Sequence, residues 1–447
     1  MNKQNNALSL LNDLIDKALA AGADAADGVF VESVSLSLSQ RLGEQENLGR
    51  SENADLGLRV LIGPRQAMVS SSDTSREAMD ELVGRCVAMA RSVPEDPFCG
   101  LADQDQLATE FPDLDVCDES EPDTEILSAR AAAAEDAARA VPGVTNSEGA
   151  EAGWGRTKVA IAGSNGFQQT RSGSGHSISV SVLAGEGTSM ERDYDYDSKV
   201  YGEDLSSPVG IGRSAGEKAV RRLNPKKASS AQVPVIYDPR VSNSLVGHLA
   251  GAVNGSSVAR GTTFLKDKMG EKLFPEAVTI VDDPHRIRGL RSKNFDGEGV
   301  GTKRLSVVED GVLKSWILDL RSARQLGLET TGHASRGTSS PPSPSTTNLY
   351  LEAGSLTHEK LIADIKEGLY ITEMMGFGIN GITGDYSRGA SGFWIENGTI
   401  SYPVSELTIA GNLMDMFAHL TAADDLEFRY GTNAPTIRVE GMTVAGR

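Results

Sequence analysis

The sequence predicts an α+β protein: duplicated α-β-β-β-α units over residues 7–93 and 124–224, followed by a larger, mainly antiparallel β domain. Three observations carry this. A helix–strands–helix order occurs twice before residue 224, apolar residues in the second half mostly keep a period of two, and two Asx-Gly dipeptides sit between apolar runs as hairpin turns. A chain of 447 residues is too long for one ordinary core, so a division into 1–224 and 225–447 is expected.

The first unit opens with Leu8, Leu11, Leu14, Ile15, Ala18 and Leu19 at helical spacing, stopping near Gly22. Strands are predicted at Val29–Leu38, Leu56–Ile62 and Gln66–Ser70, with Gly63-Pro64 turning between the last two. Thr74 or Ser75 then caps a helix through Met79, Leu82, Val83, Cys86 and Met89. The acidic, proline-bearing run from Pro94 to Thr124 reads as an exposed connection. In the second unit a helix spans Glu125–Ala140. Strand-like runs follow at Thr157–Ala162, Gly166–Arg171, Ser177–Ala184 and Thr188–Tyr194, and a helix over Pro208–Leu223 closes the unit. The recurrence points to internal duplication, though two unrelated α+β modules would give the same order.

After the polar stretch Asn224–Gln232 comes a strand at Val233–Tyr237 and a helix over Pro239–Gly255 with Leu245, Leu249, Ala252 and Val253 on one stripe. Strands are expected at Ala277–Val281, Arg304–Glu309 and Val312–Asp319, the last two joined by Asp310-Gly311. Asn397-Gly398 joins Gly392–Glu396 to Thr399–Tyr402. Helices are expected at Thr357–Glu367 and Ser405–Thr421, a final strand at Thr436–Val444, and a long polar loop at Thr330–Thr347.

Apolar residues make up 39% and charged residues 23%, as in soluble globular chains, and no run of about 18 apolar residues could span a bilayer. The polar start Met1–Asn6 leads into an amphipathic helix and does not read as a signal peptide. Cys86, Cys99 and Cys117 form neither an even set nor a CxxC pair, so a cytoplasmic location is expected, without a disulfide framework or a thiolate zinc site. A formal charge of −19 argues against nucleic acid as a partner. The basic cluster Arg221, Arg222, Lys226 and Lys227 reads as a solvated helix end.

Chemistry-bearing patterns are sparse. Gly376–Gly381 matches GxGxxG, but no βαβ unit surrounds it, so it reads as a glycine-rich turn between strands. The histidines His176, His248, His285, His333, His358 and His419 form no HxH or HxxxH pair. The clusters Asp282-Asp283 and Asp193, Asp195, Asp197 lack the pattern of a calcium loop and read as solvated faces. His248 lies on the 239–255 helix, yet the positions one turn away are Ser244, Leu245, Gly251 and Ala252, none a usual metal ligand.

The runs Arg260-Gly-Thr-Thr-Phe-Leu265, Val281-Asp-Asp283, Asn348-Leu-Tyr350, Gly376 through Gly398, and Ile409-Ala-Gly-Asn412 together resemble the PmbA (TldE) branch of the TldD/PmbA family. The resemblance covers nearly the whole chain, and its glycine-rich run is the most specific part. In that family the TldD-type subunit carries an HExxxH helix whose histidines bind zinc, with a C-terminal cysteine completing the site. Anchored on Arg260, Gly261 and Thr262, the resemblance places the metal histidines at Val246 and Gly251 and the general base at Gly247. None of the three can ligate or take a proton, and His248 points about 200° round the helix from the first ligand position.

The resemblance therefore implies a non-catalytic subunit of a heterodimeric zinc protease acting on unfolded peptides or peptide precursors. Zinc is expected in the TldD-type partner and no cofactor in this chain. Peptides are the implied substrates; no nucleic acid or membrane is implied, and the chain alone could form a homodimer. The residues singled out for a peptide cleft are Arg260, Gly261, Thr262, Gly378, Asn380, Gly381, Thr383, Gly384, Asp385, Ser387 and Gly389. The strand edges of Gly376–Gly392 and the Thr330–Thr347 loop are further places to hold an extended peptide. Two other readings stay open: a homodimeric binding or regulatory protein, and a hydrolase with a non-metal site, such as a serine in Ser335–Ser345.

Overall fold

The computed structural model describes residues 3–446. Met1 and Asn2, part of the polar start read as no signal peptide, lie outside the described residues, as does Arg447.

The N-terminal half is one antiparallel sheet with helices on a single face. Its elements are α1 (Lys3–Ala20), β1 (Ala25–Arg41), β2 (Glu44–Ile62), β3 (Arg65–Ser71), α2 (Arg76–Ser92), α3 (Thr124–Arg139), β4 (Val144–Gly163), β5 (Gln168–Ala184), β6 (Glu191–Lys199) and α4 (Pro208–Arg221). The strand order is β3-β2-β1-β4-β5-β6, so the two α-β-β-β-α series meet where β1 pairs with β4. Two cores lie under the helices. Leu11, Leu14, Leu82 and Cys86 pack on Leu56, Leu58 and Val60, and Leu127, Ala131, Ile211 and Ala215 pack on Leu36, Leu38, Trp154 and Val180.

The other face alternates with this one. In register it carries Ser33, Ser35 and Ser37 on β1, Gly155 and Gly153 on β4, and Gly175, Ser177 and Ser179 on β5. One end of this face is covered: Val29, Ile161, Phe167 and Phe295 form a small apolar cluster with the C-terminal half. The glycine and serine floor beyond it is partly exposed to exposed.

The C-terminal half begins with β7 (Ala231–Tyr237), α5 (Pro239–Ala252) and α6 (Gly255–Ala259). It continues with β8 (Ile280–Asp282), β9 (Leu305–Glu309), β10 (Val312–Leu313), α7 (Leu320–Leu326), β11 (Ala334–Ser335), β12 (Ser343–Pro344), β13 (Leu349–Leu351) and α8 (His358–Ile362). The last elements are β14 (Glu367–Met375), β15 (Asp385–Glu396), β16 (Thr399–Asn412), α9 (Leu413–Ala418), β17 (Leu420–Ala422), β18 (Thr432–Asn433) and β19 (Ile437–Ala445). One sheet runs β16-β15-β14-β7-β19-β17, and Thr408–Ala410 of β16 return to Thr443–Ala445 of β19. That pairing closes β16, β15, β14, β7 and β19 on themselves, antiparallel except for β7 beside β14. A second sheet, β10-β9-β8-β13-β18, lies alongside. One core joins both sheets to α5 through Tyr237, Leu245, Leu249, Val307, Leu369 and Val439. The protein is thus α+β with a β-rich C-terminal region.

The two Asx-Gly turns form as expected, with φ of 51° and 77° at Asp310 and Gly311 and of 50° and 73° at Asn397 and Gly398. Ser75 caps α2, and Thr357 caps α8. Several elements depart from expectation. The glycine- and serine-bearing stretches before Thr157 and between Arg171 and Ser177, outside the expected second-unit strands, belong to the interiors of continuous strands β4 and β5, because neighbours on both sides supply the ladder that propensity does not. The expected helix at Ser405–Thr421 is strand as far as Asn412. A bulge with Glu406 at φ 55° puts Val404 and Leu407 three apart on the buried face, which mimics helical spacing. The expected helix Thr357–Glu367 ends at Ile362, and Glu367 opens β14, the strand that leads into the Gly376 turn. The expected strand Val312–Asp319 stops at Leu313, and Asp319 caps α7 in a reciprocal box with Ser322.

Candidate functional site

The site is built around α5, whose start is fixed. Asp238 caps its start by accepting from the Arg240 amide at 3.0 Å, and Pro239 presets the first turn. Leu245, Val246, Leu249 and Ala252 bury one face. The opposite strip carries Gly247 and Gly251, where an added Cβ would meet nothing within 4 Å. The helix is therefore half core and half open, bare ridge.

That geometry decides whether the zinc chemistry implied by the resemblance fits. At the positions that the resemblance assigns to the two histidines stand Val246, 3% exposed inside the core, and Gly251, which has no side chain, and at the position it assigns to the base stands Gly247. A tetrahedral zinc site needs three protein ligands converging on one point; these residues do not fit it. Among the described residues, no group of three His, Cys, Asp or Glu side chains is placed to hold a metal ion.

His248 turns inward instead. Its ring packs edge-on against Tyr386 with centroids 5.9 Å apart, and its Nε2 is enclosed without a hydrogen-bond partner. Burial, and secondarily the charge of Arg388, pushes it down to about 4, so it is neutral at pH 7. Tyr386 in turn lies 3.4 Å from Tyr237, hydroxyl to hydroxyl.

The structure brings the other candidates together. Residues 376–384 form the turn between β14 and β15, and the carbonyl of Gly381 accepts from the Phe264 amide at 3.0 Å, which ties the turn to the segment after Arg260, Gly261 and Thr262. Arg260 and Thr262 are exposed, and Gly261 adopts φ 69°. Within the turn, Asn380 Oδ1 accepts from the amides of Ile382 and Thr383, and Thr383 Oγ1 donates to Asp385 Oδ2 at 2.6 Å. Asn412 Nδ2 donates to the Thr383 carbonyl and to Asp385. Gly384 takes φ 80°, and Gly378 crosses the backbone so closely that a Cβ would lie 1.7 Å from the Ser387 carbonyl oxygen. Gly389 lies where a Cβ would be 3.4 Å from Met375. The residues Asn380, Thr383 and Asp385 thus knot the turn; they do not converge on an open cleft.

Two expected peptide-holding elements are closed off. Residues Asp385–Gly389 have β16 on one edge and the turn itself on the other, so no free strand edge is left there. The Thr330–Thr347 segment is a strap and not a free loop. Arg336 is buried in it, His333 is fully buried beside Asp282 at 3.2 Å, and the Thr338 backbone presses on Gly57 of β2.

The acidic clusters are likewise internal. Asp193, Asp195 and Asp197 are buried and engaged by Arg240, Lys218 and Ser206. Asp282 accepts from Thr347 and faces His333. Of the basic cluster, Arg221, Lys226 and Lys227 are exposed as expected, whereas Arg222 is half-buried and pairs with Glu373 at 2.6 Å across the two halves.

One feature escaped the sequence reading. The turn thrusts Met375, Phe377 and Ile382 outward at 51%, 102% and 64% exposure. Apolar side chains inside a glycine-rich turn with no core within reach were the available signal.

The comparisons agree across the whole chain. Models of the PmbA/TldA metallopeptidase match as domain 1 over residues 26–90, as the central domain over 117–223 and as the C-terminal domain over 230–446. The chain is 38% identical to metalloprotease PmbA of Escherichia coli O157:H7, covering 98% of this chain and 96% of that one. It is 38% identical to a metalloprotease PmbA homolog of Haemophilus influenzae, covering 96% and 94%. The crystal structure of a putative modulator of DNA gyrase from Bacteroides thetaiotaomicron superposes with a TM-score of 0.90 at 28% identity, over 98% of each chain. TldE from Thermococcus kodakarensis, 22% identical, shares the fold with a TM-score of 0.87 over 98% of this chain and all of its own (100%). The chain belongs to the PmbA/TldD metallopeptidase family.

Proposed function

We propose that this chain is the non-catalytic subunit of a heterodimeric, cytoplasmic TldD/TldE-type zinc protease that cleaves unfolded peptides or peptide precursors, with zinc held by the TldD-type partner. The observation that carries the reading is the bare α5 ridge, with Val246 buried and Gly247 and Gly251 facing open space, at the positions that the resemblance assigns to the zinc histidines and the base. A helix kept in place while its ligating side chains are gone supports a scaffold role beside another subunit's chemistry.

Two surfaces support a partner and an extended substrate. The Met375, Phe377 and Ile382 tip is the kind of apolar anchor that association buries. β3 covers only Leu56–Ile62 of β2, so the outer edge of Glu44–Asp55 pairs with no strand among the described residues and can accept one by strand addition.

The test is co-expression with an HExxxH-bearing relative. The expected result is a stable complex whose cleavage of an unfolded peptide needs both chains and is abolished by mutating the partner's HExxxH. Stoichiometric zinc binding and peptide cleavage by this chain alone would overturn the proposal.

A further inference from the structure

Between β5, the 111–117 part of the connection and the 292–295 segment lies a cavity of about 510 Å³ whose lining includes Phe111, Gln169, Arg171, Lys293 and Phe295. Arg171 stands opposite Val159 in register, and Val159 opposite Val31, which places it on the helix-free face of the sheet, at the margin of the covered end.

Two cations share this cavity, and neither makes an ion pair among the described residues, although the buried Asp296 carboxylate lies near enough to act on both. Arg171 makes no hydrogen bond or ion pair among the described residues; its guanidinium carbon lies 5.8 Å from the centre of the Phe295 ring. Lys293 Nζ has one long contact, 3.4 Å to the Ala334 carbonyl. The neighbouring carboxylates are engaged elsewhere. Asp296 accepts from the amides of Glu298, Val300 and Ala334, Asp115 from Arg288 and Tyr201, and Asp113 from the Asp115 amide. Burial, and next the charge of Arg171, pushes Lys293 down to about 8, while Asp296 and Asp282 only partly oppose this. Cations left in that condition gain most from a ligand that brings negative charge and acceptor oxygens together.

We propose that Arg171 and Lys293 form an oxyanion pocket for a carboxylate or phosphate group, with Arg171 as the forked donor. Two sources share that chemistry: free phosphate, and the terminal carboxylate of an extended peptide. The second rests on the peptide reading above, and the sheet gives it a path. From Arg171 the same face continues through Gly173, Gly175 and Ser177 on β5, beside Thr157, Gly155 and Gly153 on β4. Small side chains there let a backbone lie flat with its carboxylate at Arg171.

The experiment is calorimetric titration of the full chain with inorganic phosphate, with a ten-residue Gly/Ser/Ala peptide bearing a free C-terminal carboxylate, and with the same peptide amidated. R171M and K293M are run in parallel, with thermal melts to confirm folding. R171M, at a partly buried strand position whose side chain has no hydrogen-bond partner to lose among the described residues, keeps the test alive if K293M does not fold. Saturable binding weakened at least tenfold by R171M supports the pocket. Tenfold preference for the free acid over the amide assigns the peptide source, and phosphate binding alone assigns the free anion. No saturable binding of phosphate or peptide acid, or binding that R171M leaves unchanged, overturns the proposal. Cleavage by the two-chain complex is scored separately, so loss of the pocket and loss of the protease reading are distinguishable.

Discussion

Arg336 Nη1 donates to Asp27 Oδ2 at 2.8 Å, linking residues 309 positions apart and locking the 330–347 strap onto the first strand of the N-terminal sheet. Asp27 also takes a two-pronged contact from Arg59, at 2.6 and 3.0 Å. Burial alone would raise the Asp27 carboxyl, but Arg336 and Arg59 outweigh it and hold it below its ordinary value. Asp27→Asn leaves two buried guanidinium groups facing a neutral amide and should cost about 3 kcal/mol or more. Arg336→Met leaves Asp27 its Arg59 partner and should cost less. A depressed carboxylate contributes stability above its unfolded pKa of 3.8 and loses it as pH falls through the folded value. Acid titration of unfolding should therefore show a steeper loss below pH 4 in the parent than in Asp27→Asn.

Glu298, in the same buried region, has the opposite sign. Burial, and next the charge of Asp296, pushes it up to about 8. Its folded form holds a proton that the unfolded chain releases near 4.5, so its contribution is complete below that value and is lost as pH rises toward 8. Chemical denaturation at pH 5.5 and 8.5 should show the parent losing on the order of 1 kcal/mol or more over that interval. Glu298→Gln should lose clearly less, and an equal loss in both would refute the assignment.

The sequence was most readable where a local rule acts alone. Asp310-Gly311 and Asn397-Gly398 demand positive φ whatever surrounds them, and Ser75 and Thr357 cap helices through their own side chains. It was least readable where neighbours decide. Gly153 and Gly155 have poor strand propensity, yet they lie mid-sheet because β1 and β5 flank them. The bulge at Glu406 disguised a strand as a helix. For the site, Val246, Gly247 and Gly251 were legible only through the resemblance, since a missing ligand leaves no local signal. Arg171 and Lys293 were not legible at all; 122 positions separate them, and only the packing of β5 against the 292–295 segment makes them neighbours.

The α5 ridge makes a graded prediction. Gly247→Ala and Gly251→Ala place a Cβ in open space, so Gly247→Ala, in the helix interior, should stabilise the fold by up to about 1 kcal/mol and Gly251→Ala, in the last turn, by less. Val246→His puts a polar ring into the core and should cost about 2 kcal/mol or more. Thermal melts read the order directly. If Val246→His were neutral, the side chain would not be held in the core as described, and a zinc ligand at 246 would be admissible after all.

The exposed tip separates folding from association. Phe377→Ser and Ile382→Ser alter largely exposed side chains outside any core cluster, so each should change stability by no more than about 0.5 kcal/mol. Gly378→Ala is the contrasting case, because its Cβ would collide with the Ser387 carbonyl and open the turn, whereas Gly381→Ala meets only the Thr262 carbonyl at 3.9 Å. If the tip anchors a partner, Phe377→Ser should weaken co-purification with the HExxxH-bearing subunit at least tenfold while its melt matches the parent. Gly378→Ala should lower both the melt and the association, and Gly381→Ala neither. Unimpaired association in Phe377→Ser and Ile382→Ser together would move the partner surface away from the turn, leaving the open β2 edge as the place to look.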